Sequence, residues 1–188
     1  MHFIEFYKSV VENKYQTIEK LPFSTQKILF NKGDVITDYN QTEKHVYFIN
    51  SGIVELVIKS YMTEKIIDFF FTNEMVCALT SFLTQTPSDI KLTALTDCEM
   101  ERIEHDALME AYANSIDVNQ FGRIITEQAY IRKSNREKDF LSKTAEERYL
   151  QMFESHRNYL HQIPVNKIAR YLGIHPESLS RIRSKLNS

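Results

Sequence analysis

The residues of this 188-residue chain whose types and spacing suit a definite chemistry lie near its C-terminus, from Val165 to Arg183. Val165, Ile168, Ala169 and Leu172 recur at i, i+3, i+4 and i+7, the apolar face of a two-turn helix. Gly173 can take the left-handed conformation that a sharp stop needs, and Ile174 can plug the corner. Pro176 suits the first turn of a second helix, whose expected buried face is Leu179, Ile182 and Leu186. Glu177, Ser178, Ser180, Arg181 and Ser184 then face outward. An arginine so placed can hold guanine O6 and N7 with two hydrogen bonds, and a glutamate can accept from cytosine N4. Small residue, glycine and apolar anchors coincide at helix-turn-helix spacing. An ordinary helical hairpin would use much of the same pattern. The expected DNA-facing set is Asn166, His175, Glu177, Ser178, Ser180, Arg181, Arg183, Ser184 and Lys185.

Charge supports that reading through its distribution. The net charge is −2, which by itself argues against a nucleic-acid binder. From Val165 to Ser188, however, Lys167, Arg170, Arg181, Arg183 and Lys185 face Glu177 alone, +4 in all, leaving −6 on the remaining 164 residues. A basic end on an acidic body is what phosphate contact by one small module requires. A solvated basic tail would give the same count.

The elements that must carry this module read as follows. Residues 28 to about 105 hold short β-branched and aromatic runs, among them Val46–Ile49, Ile53–Ile58 and Lys65–Phe71. Turn residues separate them, as at Asn31–Asp34 and Asn50–Gly52. Strands this short and regular predict a roll or sandwich. Residues 3–20 show helical spacing through Phe3, Phe6, Tyr7, Val10, Val11 and Ile18. A long helix is predicted over residues 117–141, where Val118, Phe121, Ile124, Ile125, Gln128 and Ile131 form one stripe. That stripe is expected to pack against a second copy of the chain, the alternative being its own β-domain. Thr144 and Glu147 form a capping-box pattern at the head of a further helix.

Other chemistries find less support. Cys77 and Cys98 lie far apart with no CxxC and no histidine at ligand spacing, so two free thiols are expected and no metal or cofactor is implied. No GxSxG, HExxH or phosphate loop appears and the six histidines are dispersed, so no enzyme is expected. Without an eighteen-residue apolar run or a basic, cleavable leader, the cytoplasm is the expected compartment.

With these residues in hand, the chain resembles the cyclic AMP receptor protein and fumarate–nitrate regulator (Crp/Fnr) family, most of all its Bacteroidetes-type members. Phe30–Ile36 and Val46–Val54 look like the glycine turns and strands of a cyclic-nucleotide-binding β-roll, and Leu172–Arg183 looks like the family's DNA-reading motif. The resemblance implies an α+β chain with three parts. They are a β jelly-roll sensor over residues 1–116, a dimerisation helix over 117–141 and a reduced winged helix-turn-helix over 142–188. The family's base-reading glutamate and arginine match Glu177 and Arg181, whereas a third base-reading arginine falls at Pro176. The chain stops at Ser188, so the β-wing of longer members is expected to be missing or reduced.

The family's effector pocket aligns with Glu74, Ser88, Asp89, Lys91, Ile131 and Arg132, and it matches poorly. Its Gly-Glu pair reads Asn73-Glu74, its phosphate-binding Arg-Ser/Thr pair reads Ser88-Asp89, and its purine-contacting Thr-Ser reads Ile131-Arg132. Losing the arginine removes the charge partner of a buried phosphate, and Asp89 would repel it. The expectation is a homodimeric transcription regulator whose partner is double-stranded DNA and whose effector is not cyclic AMP. RNA polymerase is a further partner open to such a regulator. The competing expectation is a ligand-binding or protein-interaction module whose C-terminal helices do not read DNA.

Overall fold

The apolar runs do form strands. A computed structural model describes residues 1–11, 19–61 and 63–186. It shows β1 (Gln26–Phe30), β2 (Val35–Thr37), β3 (His45–Ser51), β4 (Val54–Ser60), β5 (Thr63–Phe70), β6 (Met75–Val76), β7 (Ile90–Ala94) and β8 (Cys98–Glu104). They build two antiparallel four-stranded sheets, ordered β1-β8-β3-β6 and β2-β7-β4-β5. Crossing from one sheet to the other along the chain makes the roll. At the β3–β4 turn Gly52 takes φ +110°, and a Cβ there would meet the Asp97 carbonyl oxygen at 2.6 Å, so glycine is required on both counts.

Side-chain alternation explains why the strands read as near-continuous apolar runs. Tyr47 and Ile49 of β3 point into the roll, where they pack with Val54, Leu56, Leu92, Ala94 and Met100. Val46 and Phe48 of the same strand point outward, against helices. On β5, Ile67 and Phe70 face inward, and Ile66 and Phe69 face the opposite side. Both faces are covered, so neither can be polar.

The helices supply those covers. α1 (Phe3–Val11), α3 (His105–Asn114) and the first half of α4 (Ile116–Ser142) share one core with Val46 and Phe48. Residues 12–18 of the predicted first helix lie outside the described residues. α2 (Leu79–Thr84) and α3 carry no strong sequence signal and were not expected as helices. α4 extends one residue beyond the predicted 117–141 at each end, with Ser115 Oγ accepting from the Val118 amide at its start. α5 (Ala145–His156) begins with the predicted capping box, Thr144 Oγ1 and the Glu147 carboxylate satisfying each other's amides. A 3₁₀ turn (Leu160–Gln162), α6 (Val165–Leu172) and α7 (Pro176–Leu186) complete the chain.

One stripe assignment needs correcting. Val118 and Phe121 are fully buried within the single chain, Phe121 against Phe3, Phe6 and Tyr7, and Ile125 packs on the same cluster. They face their own domain because α1 folds back over α4, a tertiary pairing that the spacing cannot announce. Ile124 is half-buried. Gln128 and Ile131, farther along, remain exposed, as does their neighbour Tyr130 at 72%.

Candidate nucleic-acid interface

Most of the devices predicted for the helix pair are present, although Val165, expected on the buried face of α6, is 37% exposed. Ile168, Ala169 and Leu172 of α6 are buried, and Gly173 ends the helix at φ 72°. The Ile174 amide donates back to the Ala169 carbonyl at 3.0 Å, closing the turn, and Ile174 packs into the core beside it. α7 then leaves at an angle, with Pro176 in its first turn. Leu179 is fully buried and Ile182 packs on the same core, but Leu186 is 41% exposed. The expected third anchor therefore does not form. α7 has turned away from the core by its last turn.

The outward face follows from those anchors. Glu177, Ser180, Arg181 and Ser184 lie at i, i+3, i+4 and i+7 and are all exposed. Arg183, His175 and Asn166 are exposed beside them, and Ser178 is half-buried. Among the described residues no carboxylate or hydrogen-bond acceptor occupies Arg181 or Arg183, so both guanidinium groups are available to a partner. Lys185 is different: its ammonium sits 2.9 Å from Glu146 at the head of α5. Lys167 is also engaged, 2.5 Å from Glu55 of β4, whose carboxylate is buried. Two of the five cations counted in the sequence are thus neutralised internally.

That Lys167–Glu55 pair is part of a larger fact. α5, α6 and α7 share a single core with the outer face of the second sheet, in which Phe69 meets Tyr171 and Phe71 stacks on His156 at 4.2 Å. The helix-turn-helix is docked directly on the roll.

The residues aligned with an effector pocket do not converge. Ser88 turns its hydroxyl onto its own strand, donating to the Ile90 carbonyl and accepting from the Ile90 amide. Lys91 is held by Glu64 at 2.5 Å, Asp89 is exposed, and Ile131 points outward at 55% exposure. Only Glu74 and Arg132 meet, at 3.0 Å. Arg132 also reaches Asp68 at 2.7 Å and the Phe69 carbonyl at 2.6 Å. Burial pulls its guanidinium down, but Asp68 and Glu74 outweigh that and hold it charged above the usual arginine range. The arginine read as a mismatch is the ion-pair partner of Glu74.

Sequence reasoning did not single out Asp68, Arg136, Arg148, His156 or Tyr171, which surround Arg132. The available signal was Arg132 and Arg136, one turn apart on α4, but an i, i+4 pair of arginines on a polar helix reads as a solvated face. Among the described residues no group of three or more His, Cys, Asp or Glu could hold a metal, and no helix is long and apolar enough to cross a membrane.

Residues 27–115 match the cyclic nucleotide-binding domain family. The chain is similar in structure to FixK2 from Bradyrhizobium japonicum, at 19% identity and TM-score 0.76, covering 87% of this chain and 85% of that one. It is also similar to CLP, a c-di-GMP-responsive global regulator from Xanthomonas campestris, at 15% identity and TM-score 0.68, over 98% and 90% of the two chains. A protein from Eubacterium rectale assigned to the Crp/Fnr family of transcriptional regulators matches at 16% identity and TM-score 0.69, over 87% and 78%. At these identities the likeness is one of fold. No curated protein sequence matches the chain closely enough to count as a relative.

Proposed function

We propose that this chain, a cyclic nucleotide-binding domain joined to a helix-turn-helix in the Crp/Fnr fold, is a sequence-specific DNA-binding regulator that works as a homodimer. The observation that carries the proposal is the free, outward stripe of α7. Glu177 and Arg181 sit one turn apart with no internal partner among the described residues, anchored from behind by Leu179. A recognition helix needs this combination, because base edges are read by side chains with unspent hydrogen-bonding capacity. Arg183 and Arg170 flank it as phosphate contacts.

Binding to fragments of the source genome at several salt concentrations tests the proposal. Affinity should fall steeply as salt rises, and Arg181→Ala should cost about 1–3 kcal/mol on a specific site with no change in Tm. Equal losses on specific and random DNA would reduce Arg181 to a phosphate contact. Salt-independent or absent binding would favour the protein-interaction module instead.

The effector of this regulator is not cyclic AMP. Three observations support that reading: Glu74 is occupied by Arg132, Asp89 forms no ion pair among the described residues, and the roll interior is packed with apolar side chains. A phosphate entering there would lose its hydration without a charge partner. Calorimetry with cyclic AMP should show no saturable heat, and a saturable heat at micromolar ligand would overturn this reading of the pocket.

A further inference from the structure

A second pocket lies outside the roll, where the sensor meets the helix-turn-helix. A cleft of about 290 Å³ opens between β5, α4, α5 and the end of α6. Its size is at the lower end of small-molecule sites. Arg132, Arg136 and Arg148 all line it, alongside the polar Asn135, Gln151 and Ser155 and the apolar Met152 and Leu172.

The charges around the cleft do not balance. Asp68 and Glu74 are both consumed by Arg132, and Asp139 is consumed by Lys143 at 2.7 Å. Arg136 and Arg148 have no carboxylate among the described residues. Within the lining itself three arginines face two carboxylates, Asp68 and Asp139, so it keeps one positive charge. Donors also outnumber acceptors. Arg136 places one terminal nitrogen on the carbonyls of Ile66 and Tyr171 at 3.4 and 3.2 Å and also engages the Tyr171 side chain. Arg148 gives its two terminal nitrogens to the Lys143 and Leu172 carbonyls, and its Nε is buried with no partner.

Geometry keeps these groups in place without neutralising them. Arg136 lies 4.0 Å from the centre of the Tyr171 ring and 4.8 Å from that of Phe140, and Arg148 lies 4.4 Å from Phe140 on α4. Aromatic faces fix a guanidinium's plane while leaving its edge free, and that edge matches the two oxygens of a phosphate or carboxylate.

We propose that this cleft is a binding site for a small organic anion, held through its phosphate or carboxylate oxygens by the edge of Arg136 with Arg148 behind it. The ligand would bridge α4, α5 and the end of α6, so occupancy would set how firmly the helix-turn-helix is held to the long helix. The site is independent of the roll interior and of α7, and binding to it requires no DNA.

Thermal unfolding without DNA, titrated with inorganic phosphate and separately with malonate at constant ionic strength, tests the proposal. At least one of the two should raise Tm in a saturable way, and the one that does identifies the oxyanion class. Arg136→Gln should bind at least about tenfold more weakly, the loss expected for one charged hydrogen-bonding partner. Asn135→Glu, at an exposed position on the cleft wall, should lose the response by supplying the missing carboxylate, and this variant keeps the test valid if Arg136→Gln folds poorly. Arg181→Gln should respond like the parent, which separates this cleft from anion binding on the DNA-facing helix. No saturable shift with either anion, or an unchanged response in Asn135→Glu, overturns the proposal.

Discussion

His156 shows how a single residue ties the stability of this molecule to pH. Its ring stacks on Phe71 at the seam between roll and C-terminal helices. Burial lowers its pKa first; Glu74 opposes this as the next largest effect, Arg132 adds to the lowering, and Asp68 opposes it least. The folded state therefore takes up a proton less readily than the unfolded chain, whose histidines titrate near about 6.5. Between those two values the unfolded state binds more protons, so stability rises with pH. The contribution is fully present above the unfolded value and is lost as pH falls from there toward the folded one. Urea unfolding should show lower stability at pH 5.5 than at 7.5, and His156→Gln should flatten that difference. His45, lowered mainly by its own burial, contributes in the same direction and sets the slope that remains. An unchanged slope in His156→Gln would mean that His156 is already solvated in the folded state.

At the scale of elements, the decisive feature is how few contacts orient α7. Leu179 is its one fully buried residue, Ile182 is partly covered, and Leu186 is 41% exposed. Helices this short do not hold themselves together in water, so α7 depends on that anchor for both its existence and its angle. Leu179→Ala should cost about 2–5 kcal/mol, the range for truncating a buried leucine. It should also weaken DNA binding by more than the loss of folded protein explains, since the outward stripe loses its orientation. Chemical denaturation paired with binding at a temperature where the variant is folded separates the two effects. A stability loss without any binding defect would show that Ile182 and the Gly173 turn suffice to aim the helix.

For the whole molecule, the question is which surface meets a second copy. In the proposed homodimer, the burial of Val118 and Phe121 within their own chain leaves the far side of α4 as the candidate dimer face. There, Tyr130 and Ile131 are exposed, and an apolar groove runs past Leu83, Tyr112 and Gly122. In the proposed homodimer a second copy of α4, related by a two-fold axis, would fill this groove and set two recognition helices about 34 Å apart for successive major grooves. Tyr130→Glu should shift sedimentation from dimer to monomer at micromolar concentration with little change in the fold. Phe121→Ala should instead destabilise each chain by about 3–5 kcal/mol. A Tyr130→Glu protein that stays dimeric would place the interface elsewhere.

The sequence determined whatever depends on neighbours along the chain. The α6–Gly173–α7 corner, the Thr144 capping box, the extent of α4 and the strand runs are set by local periodicity, caps and turn residues, and each was legible on that basis. The tertiary structure decided what those elements touch. Periodicity marked the Val118–Ile131 stripe as apolar, yet the same pattern serves a partner chain or the chain's own α1, and only the fold over Phe3 and Tyr7 assigns its first half inward. A count of charges likewise cannot tell a free lysine from Lys167 docked on Glu55, 112 positions away. The arginine-lined cleft is the extreme case. Its members come from four elements, each with an ordinary polar face, and their charge excess exists only once folding has paired the carboxylates with other cations.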